Sequence, residues 1–192
     1  MKKEDILLIG GGGHAKSVID VIEIQGKYNI VGIVDKKELL GKSVLGYKII
    51  ASDDDLVRLR KEYSNAIISV GHIKSNTLRI NLFKILKELN FTLPTIISPL
   101  AYVSKHSFIE EGTIVMHHAL INADAKVAKN CIINSKALIE HDAIIEDNVH
   151  ISTGAIVNGG STIKENSFFG SGAIIKEYAI STGFVKAGSL VK

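Results

Sequence analysis

From about residue 95 onward the chain repeats every six residues, and no other feature restricts its fold as tightly. Counting by sixes from Ile97 to Ile175 meets only aliphatic residues, with the single exception of Phe169. Two positions before each of these, from Thr95 to Ala173, stands a small residue, except at Val149. A helix repeats at about 3.6 residues and a strand at about 2. Neither calls for one large and one small inward residue per hexad. A triangular left-handed parallel β-helix does: each flat side takes one hexad, so one coil takes 18 residues. The large residue fills the prism and the small one fits near a corner. The frame slips at Ser181 and resumes at Val185 and Val191 in "FVKAGSLVK". Residues 177–184 are therefore expected to form a small loop or insertion before a last partial coil. Cys131 falls on a small inward position, where a packed thiol is expected rather than a nucleophile.

Residues 1–93 have a different rhythm. "DILLIG" (5–10), "YNIVGIVD" (28–35) and "NAIISVG" (65–71) are short apolar runs that predict buried parallel strands. "HAKSVIDVIEIQG" (14–26), "SDDDLVRLRKEY" (52–63) and "SNTLRINLFKILKELN" (75–90) carry helical spacing, with Gly26 as a C-cap and a Ser/Asp cluster as an N-cap. Strand–helix alternation predicts a small parallel α/β sheet, Rossmann-like, over 1–93. The β-helix then occupies 94–192.

Several classes are disfavoured. Net charge is +3 without a basic stripe, which argues against a nucleic-acid binder. No run reaches the roughly 18 apolar residues of a membrane-spanning helix. "MKKEDILLIGGGG" lacks the pattern of a secretion signal, and one cysteine cannot form an internal disulfide. A soluble cytoplasmic protein is expected.

Two places carry chemistry. "LIGGGGHAKSV" sets four glycines between a strand and a helix. There, backbone N–H groups and the helix N-terminus favour a phosphate. Gly10, Gly12 and Gly13 suit such a loop, His14 stands beside it, and Asp35 ends the next strand. The half is small for a dinucleotide and better suits a mononucleotide or sugar nucleotide. A plain strand–helix turn with Asp35 as a loop carboxylate is the alternative. The second place is "IEHDAIIEDNVH" (139–150). Ile139 and Ile145 face inward, so Glu140, His141 and Asp142 project at a corner. His150 projects from a flat side. Eighteen residues beyond His141, one coil on, lies Gly159. An imidazole beside a glycine N–H, with a carboxylate to orient it, suits acyl transfer. A solvated turn, or a metal shared across a trimer, are the alternatives. His117 lies 24 residues from His141 and hence at another corner.

The "GGGGHAKSVID" loop, the hexapeptide repeats and "NSKALIEHDAIIEDNVHISTGA" together resemble bacterial sugar acetyltransferases of the sialic-acid O-acetyltransferase type. These include N-acetyltransferases of UDP- or dTDP-linked 4-amino sugars. The resemblance spans nearly the whole chain. It implies a homotrimer that uses acetyl-CoA, bound between neighbouring β-helices, and needs no metal. By resemblance His141 is the general base and Asp142 raises its basicity. His150, Gly159, Ser171 and Lys186 match acetyl-CoA contacts. Gly12, Gly13, His14, Asp35, Lys36 and Gly71 match sugar-nucleotide contacts, and Asn134 a residue near the sugar. His72 stands where the family usually has Asp or Asn. The family's G-x-P-A-K-like tail has no counterpart after "AGSLVK". The implied reaction is direct acetylation of a UDP-4-amino-sugar type substrate. O-acetylation of a nonulosonic acid, a non-catalytic trimeric scaffold and a metal hydratase on the same fold are the rivals.

Overall fold

In the first half, apolar runs too short for helices become strands. The computed structural model describes residues 3–192. Strand β1 (Glu4–Ile9) pairs in parallel with β2 (Tyr28–Val34). Two further strands, β3 (Ser43–Val44) and β4 (Tyr47–Ala51), form a hairpin, and β5 (Asn65–Ile68) lies on the other side of β1. The order is β3-β4-β2-β1-β5. Helices α1 (Gly13–Gln25) and α2 (Leu56–Leu59) lie in crossovers between the sheet's strands, and α3 (Thr77–Glu88) follows β5. Helix α1 ends where Gly26 turns left-handed at φ 70° and donates its N–H to the Ile22 carbonyl.

Two expectations are corrected here. The sheet is mixed, because β3 runs antiparallel to β4. The hairpin turns on Leu45 and Gly46, both at positive φ (47° and 88°), as a tight two-residue connection requires. Leu in place of the usual Asn or Asp hid that signal. The expected helix over 52–63 contracts to a capped 3-10 turn and the single turn of α2. Ser52 and Asp55 form a reciprocal capping box there, and only Leu56 and Leu59 anchor the helix in the core.

A succession of two-residue strands follows, from Ile96–Ile97 to Leu190–Val191. They stack into three parallel sheets of six, five and six strands, in register every 18 residues over most of their length. This is the left-handed parallel β-helix that the hexads imply. The inward column is buried from Val115 to Ile175, with Ala119, Ala125, Ala137, Ala143 and Cys131 filling the small positions. The 177–184 slip is a shortened turn rather than an inserted loop. Ser181 keeps its inward place in the sheet, paired with Ile163, and Phe184 pairs with Phe168 only 16 residues away. One flat face presents Tyr102, Leu120, Leu138, Ile156, Ile174 and Leu190 outward, aliphatic but for the tyrosine.

The chain divides into two units: residues up to Gly71 with Thr77–Pro94, and His72–Asn76 with Thr95–Lys192. Residues 72–76 thus belong with the β-helix, where Asn76 Nδ2 donates to the Asn166 carbonyl at 2.9 Å. Asn166 caps a ladder at one corner. Asn130 Nδ2 donates to Asn148 Oδ1 at 2.8 Å, and Asn148 Nδ2 to Asn166 Oδ1 at 3.1 Å. All three are left-handed, at φ 57–62°. Asn148→Gly keeps that backbone but deletes both ladder bonds, at about 1 kcal/mol each. Asn148→Ala adds a left-handed penalty of about 1–2 kcal/mol. Urea unfolding is expected to rank wild type above Gly and Gly above Ala. A Gly variant as stable as wild type would show that the ladder contributes nothing.

Candidate active site

Glu140, His141 and Asp142 form the corner between strands Leu138–Ile139 and Ile144–Ile145. Asp142 is left-handed (φ 60°), a conformation that short polar side chains tolerate. That twist brings its Oδ2 to 2.8 Å from His141 Nδ1. A carboxylate can only accept, so Nδ1 carries the proton and Nε2 presents a lone pair. The hydrogen bond to Asp142 pushes the His141 pKa above its ordinary 6.5; slight desolvation opposes it, and the charges of Asp142 and Glu140 add to it. Glu140 also braces the turn. Its Oε2 accepts the His141 N–H at 3.3 Å and the Asn122 amide at 2.9 Å. Asn122 lies one coil before Glu140, a pairing that counting by 18 would have revealed.

The imidazole leans along the prism axis onto the next coil. A methyl group at Gly159 would sit 2.7 Å from His141 Cε1 and 2.9 Å from Nε2. Only glycine lets the ring lie there. Gly159 is buried, yet its N–H donates to no group among the described residues. The Gly160 N–H, by contrast, donates to the His141 carbonyl at 3.0 Å. A basic nitrogen thus lies against a residue whose backbone donor is uncommitted.

The other expected β-helix residues lie elsewhere. Asn134, Ser171 and Lys186 sit at the corner across the apolar face from His141. Ser171 Oγ is 2.8 Å from Ser152 Oγ. His150 leaves the prism outward as expected, but it is buried rather than solvent-facing. Residues 72–76 cover it. Its Nδ1 donates to the His72 carbonyl at 2.7 Å, and Asn134 Nδ2 donates to its Nε2 at 3.1 Å. Phe168 meets the ring edge-on, with centroids 5.1 Å apart. Both nitrogens are thus engaged within the chain, which is what makes burying an imidazole affordable. Cys131 is buried, with Sγ 3.1 Å from the Glu146 carbonyl. Among the described residues no three His, Cys, Asp or Glu side chains converge as a metal site would need. No helix among them is long and apolar enough to cross a membrane.

In the first unit the glycine loop follows β1 directly. Gly10 takes φ 106°, and a methyl there would lie 2.4 Å from Val70 Cγ2. Gly12 caps α1, and no acidic side chain occupies the first helical turn. Asp35 works inside the loop: Oδ2 accepts the Gly11 N–H at 2.6 Å and Oδ1 the Lys36 N–H at 2.7 Å. It is a brace as much as a free acceptor. His14 packs against Gly71, where a methyl would lie 3.2 Å from the His14 Cβ. Gly10, Gly12, Gly13, His14 and Gly71 therefore gather around the N-terminus of α1, with Asp35 and Lys36 tied to the loop through Gly11.

Residues 5–86 match the family model of the PglD N-terminal domain. The chain also resembles a His-to-Asn variant of perosamine N-acetyltransferase from Caulobacter crescentus, solved in complex with CoA and GDP-perosamine. Identity is 30%, coverage 98% of this chain and 88% of that one, and the TM-score 0.91. The chain belongs to the hexapeptide-repeat sugar N-acetyltransferases. A second member of that family, the acetyltransferase domain of PglB from Neisseria gonorrhoeae FA1090, is 28% identical, with 99% and 92% coverage and a TM-score of 0.91. The same domain in complex with acetyl coenzyme A gives 28% identity, 99% and 93% coverage and 0.90. No protein of curated function matches the chain. As a member of this family, the chain is a sugar acetyltransferase.

Proposed function

We propose that this enzyme moves the acetyl group of acetyl-CoA onto the amino group of a nucleotide-linked amino sugar, of the UDP-4-amino-sugar type, with His141 as general base. The observation that carries the reading is His141: Asp142 fixes its protonated nitrogen and its free nitrogen lies against Gly159. The acceptor nitrogen attacks the thioester carbonyl carbon while Nε2 takes its proton. The oxygen that becomes negative is met by the Gly159 N–H. The C–S bond then breaks, the thiolate leaves and regains a proton from the imidazolium, and an amide remains. No covalent enzyme intermediate is needed, which agrees with an inward Cys131.

The N-terminal unit holds the nucleotide in this reading. The α1 N-terminus, with Gly12, Gly13 and His14, takes a phosphate, and Asp35 and Lys36 border it. His141 and the residues Asn134, Ser171 and Lys186 occupy opposite edges of one apolar face. A second copy laid on that face would bring one edge of each chain together. This supports a homotrimer with acetyl-CoA between subunits. The relatives were solved with GDP-perosamine and CoA or with acetyl-CoA, which supports a nucleotide sugar and this donor here. Acetyl-CoA consumption against UDP-, dTDP- and GDP-linked amino sugars tests the reading. Turnover with none of them, or with hydroxyl acceptors only, would overturn it.

Asp142→Asn, whose side chain accepts the left-handed backbone, removes the main cause of the raised His141 pKa. The base works only when neutral, so kcat/KM falls as pH drops through that pKa. In wild type the fall is expected above pH 6.5, the ordinary value. In the variant it moves to lower pH, and kcat at neutral pH drops by roughly 10- to 100-fold. An acid limb that stays put would disconnect Asp142 from the base.

A further inference from the structure

Two rings approach the Gly159–Gly160 pair, one from each side along the prism axis. His141 comes from the coil before. Tyr178 comes from the coil after: a methyl at Gly160 would lie 2.4 Å from its Cδ1 and 2.5 Å from its Cε1. Tyr178 continues the corner column Asp124, Asp142, Gly160, at 18-residue spacing. All four are left-handed, at φ 58°, 60°, 66° and 57°. Asp and Gly accept that backbone readily, whereas a bulky aromatic is an outlier there. The tyrosine is also 78% exposed, so its contact with Gly160 leaves most of the side chain uncovered. Left-handed backbone at a bulky residue is common at tight turns and also clusters at functional sites; here no hairpin demands it, and the ring stands beside the proposed base.

Resting on the acetyl-transfer reading above, we propose that Tyr178 contacts the acyl donor, its ring forming the wall opposite His141 of the slot over Gly159–Gly160. In that reading the thioester oxygen points at the Gly159 N–H and the acceptor arrives beside His141. The remaining side of the thioester, its methyl and its sulfur-bound methylenes, is apolar. The Tyr178 ring offers an apolar surface on that side. Contact between the two would bury aromatic area that is exposed in the isolated chain.

Tyr178→Gly separates this role from a structural one, because glycine relieves the left-handed strain. The expected variant melts at or above the wild-type temperature. Its KM for acetyl-CoA rises roughly tenfold, the scale of one aromatic contact, while the acceptor KM is unmoved. Tyr178→Phe keeps the wild-type donor KM. An unchanged donor KM in the glycine variant of an active enzyme overturns the tyrosine assignment alone. So does a rise confined to the acceptor KM. A fall in the assembled mass by light scattering would assign the ring to subunit contact and overturn it too. Wild-type protein that neither binds acetyl-CoA by calorimetry nor turns it over would overturn the underlying reading, and this assignment with it.

Discussion

His141→Ala is expected to lower kcat by roughly 10²–10⁴, the range of a lost general base, while the protein stays folded. The side chain is 55% exposed, so its removal leaves no cavity. The backbone bond it supports, from the Gly160 N–H to the His141 carbonyl, does not depend on the ring. Acetyl-CoA affinity should survive, since the imidazole acts on the acceptor's proton. Steady-state kinetics, calorimetry with acetyl-CoA and circular dichroism would check these three points. Near wild-type turnover would remove His141 from the mechanism. A collapse of donor binding would recast it as a binding residue.

The β-helix was legible because its rule is local and repeats. One inward and one small residue per hexad suffice, and 18-residue counting then sets every corner. That count puts Gly159 beside His141, and the close ring contact agrees with it. The same count contained the Asn122–Glu140 brace and the Gly160–Tyr178 contact. Neither is legible in the sequence, because polar corner residues look alike until their side chains are placed. The shortened last coil is obscured for a related reason. Ser181 is polar and so resembles a break, although its backbone keeps the ladder.

What the sequence could not show was contact between distant segments. The hexad frame points His150 outward, and outward it lies. Its burial comes from residues 72–76, whose bond to His150 spans 78 positions and follows no period. The antiparallel hairpin lacks a sequence signal for a local reason, a leucine in a left-handed turn position. Residue type marks Asp35 as an acceptor, but its first partners are two backbone N–H groups, that of Gly11 in the glycine loop and that of its neighbour Lys36. Carboxylates at such loops satisfy the fold before they meet a ligand, and residue type alone cannot apportion the two tasks.

Gly159→Ala should be the second large effect, and it would test geometry rather than chemistry. Gly159 is not among the residues with left-handed backbone, so alanine is tolerated by the main chain. The new methyl would instead fall 2.7–2.9 Å from the His141 ring. That ring is the far end of an exposed side chain, so it swings aside and Nε2 leaves its place beside Gly159. A displacement of about 1 Å at the reacting groups can cost on the order of 10²-fold in rate. Stability should barely change, unlike Gly160→Ala, where φ 66° penalises alanine and the methyl would meet the Tyr178 ring. Residues acting through one contact are not additive. The double variant His141→Ala with Gly159→Ala should therefore be no slower than His141→Ala alone, because the methyl then meets empty space. A further large loss in the double variant would mean that the methyl blocks the donor itself, and that Gly159 is required for more than room beside the base.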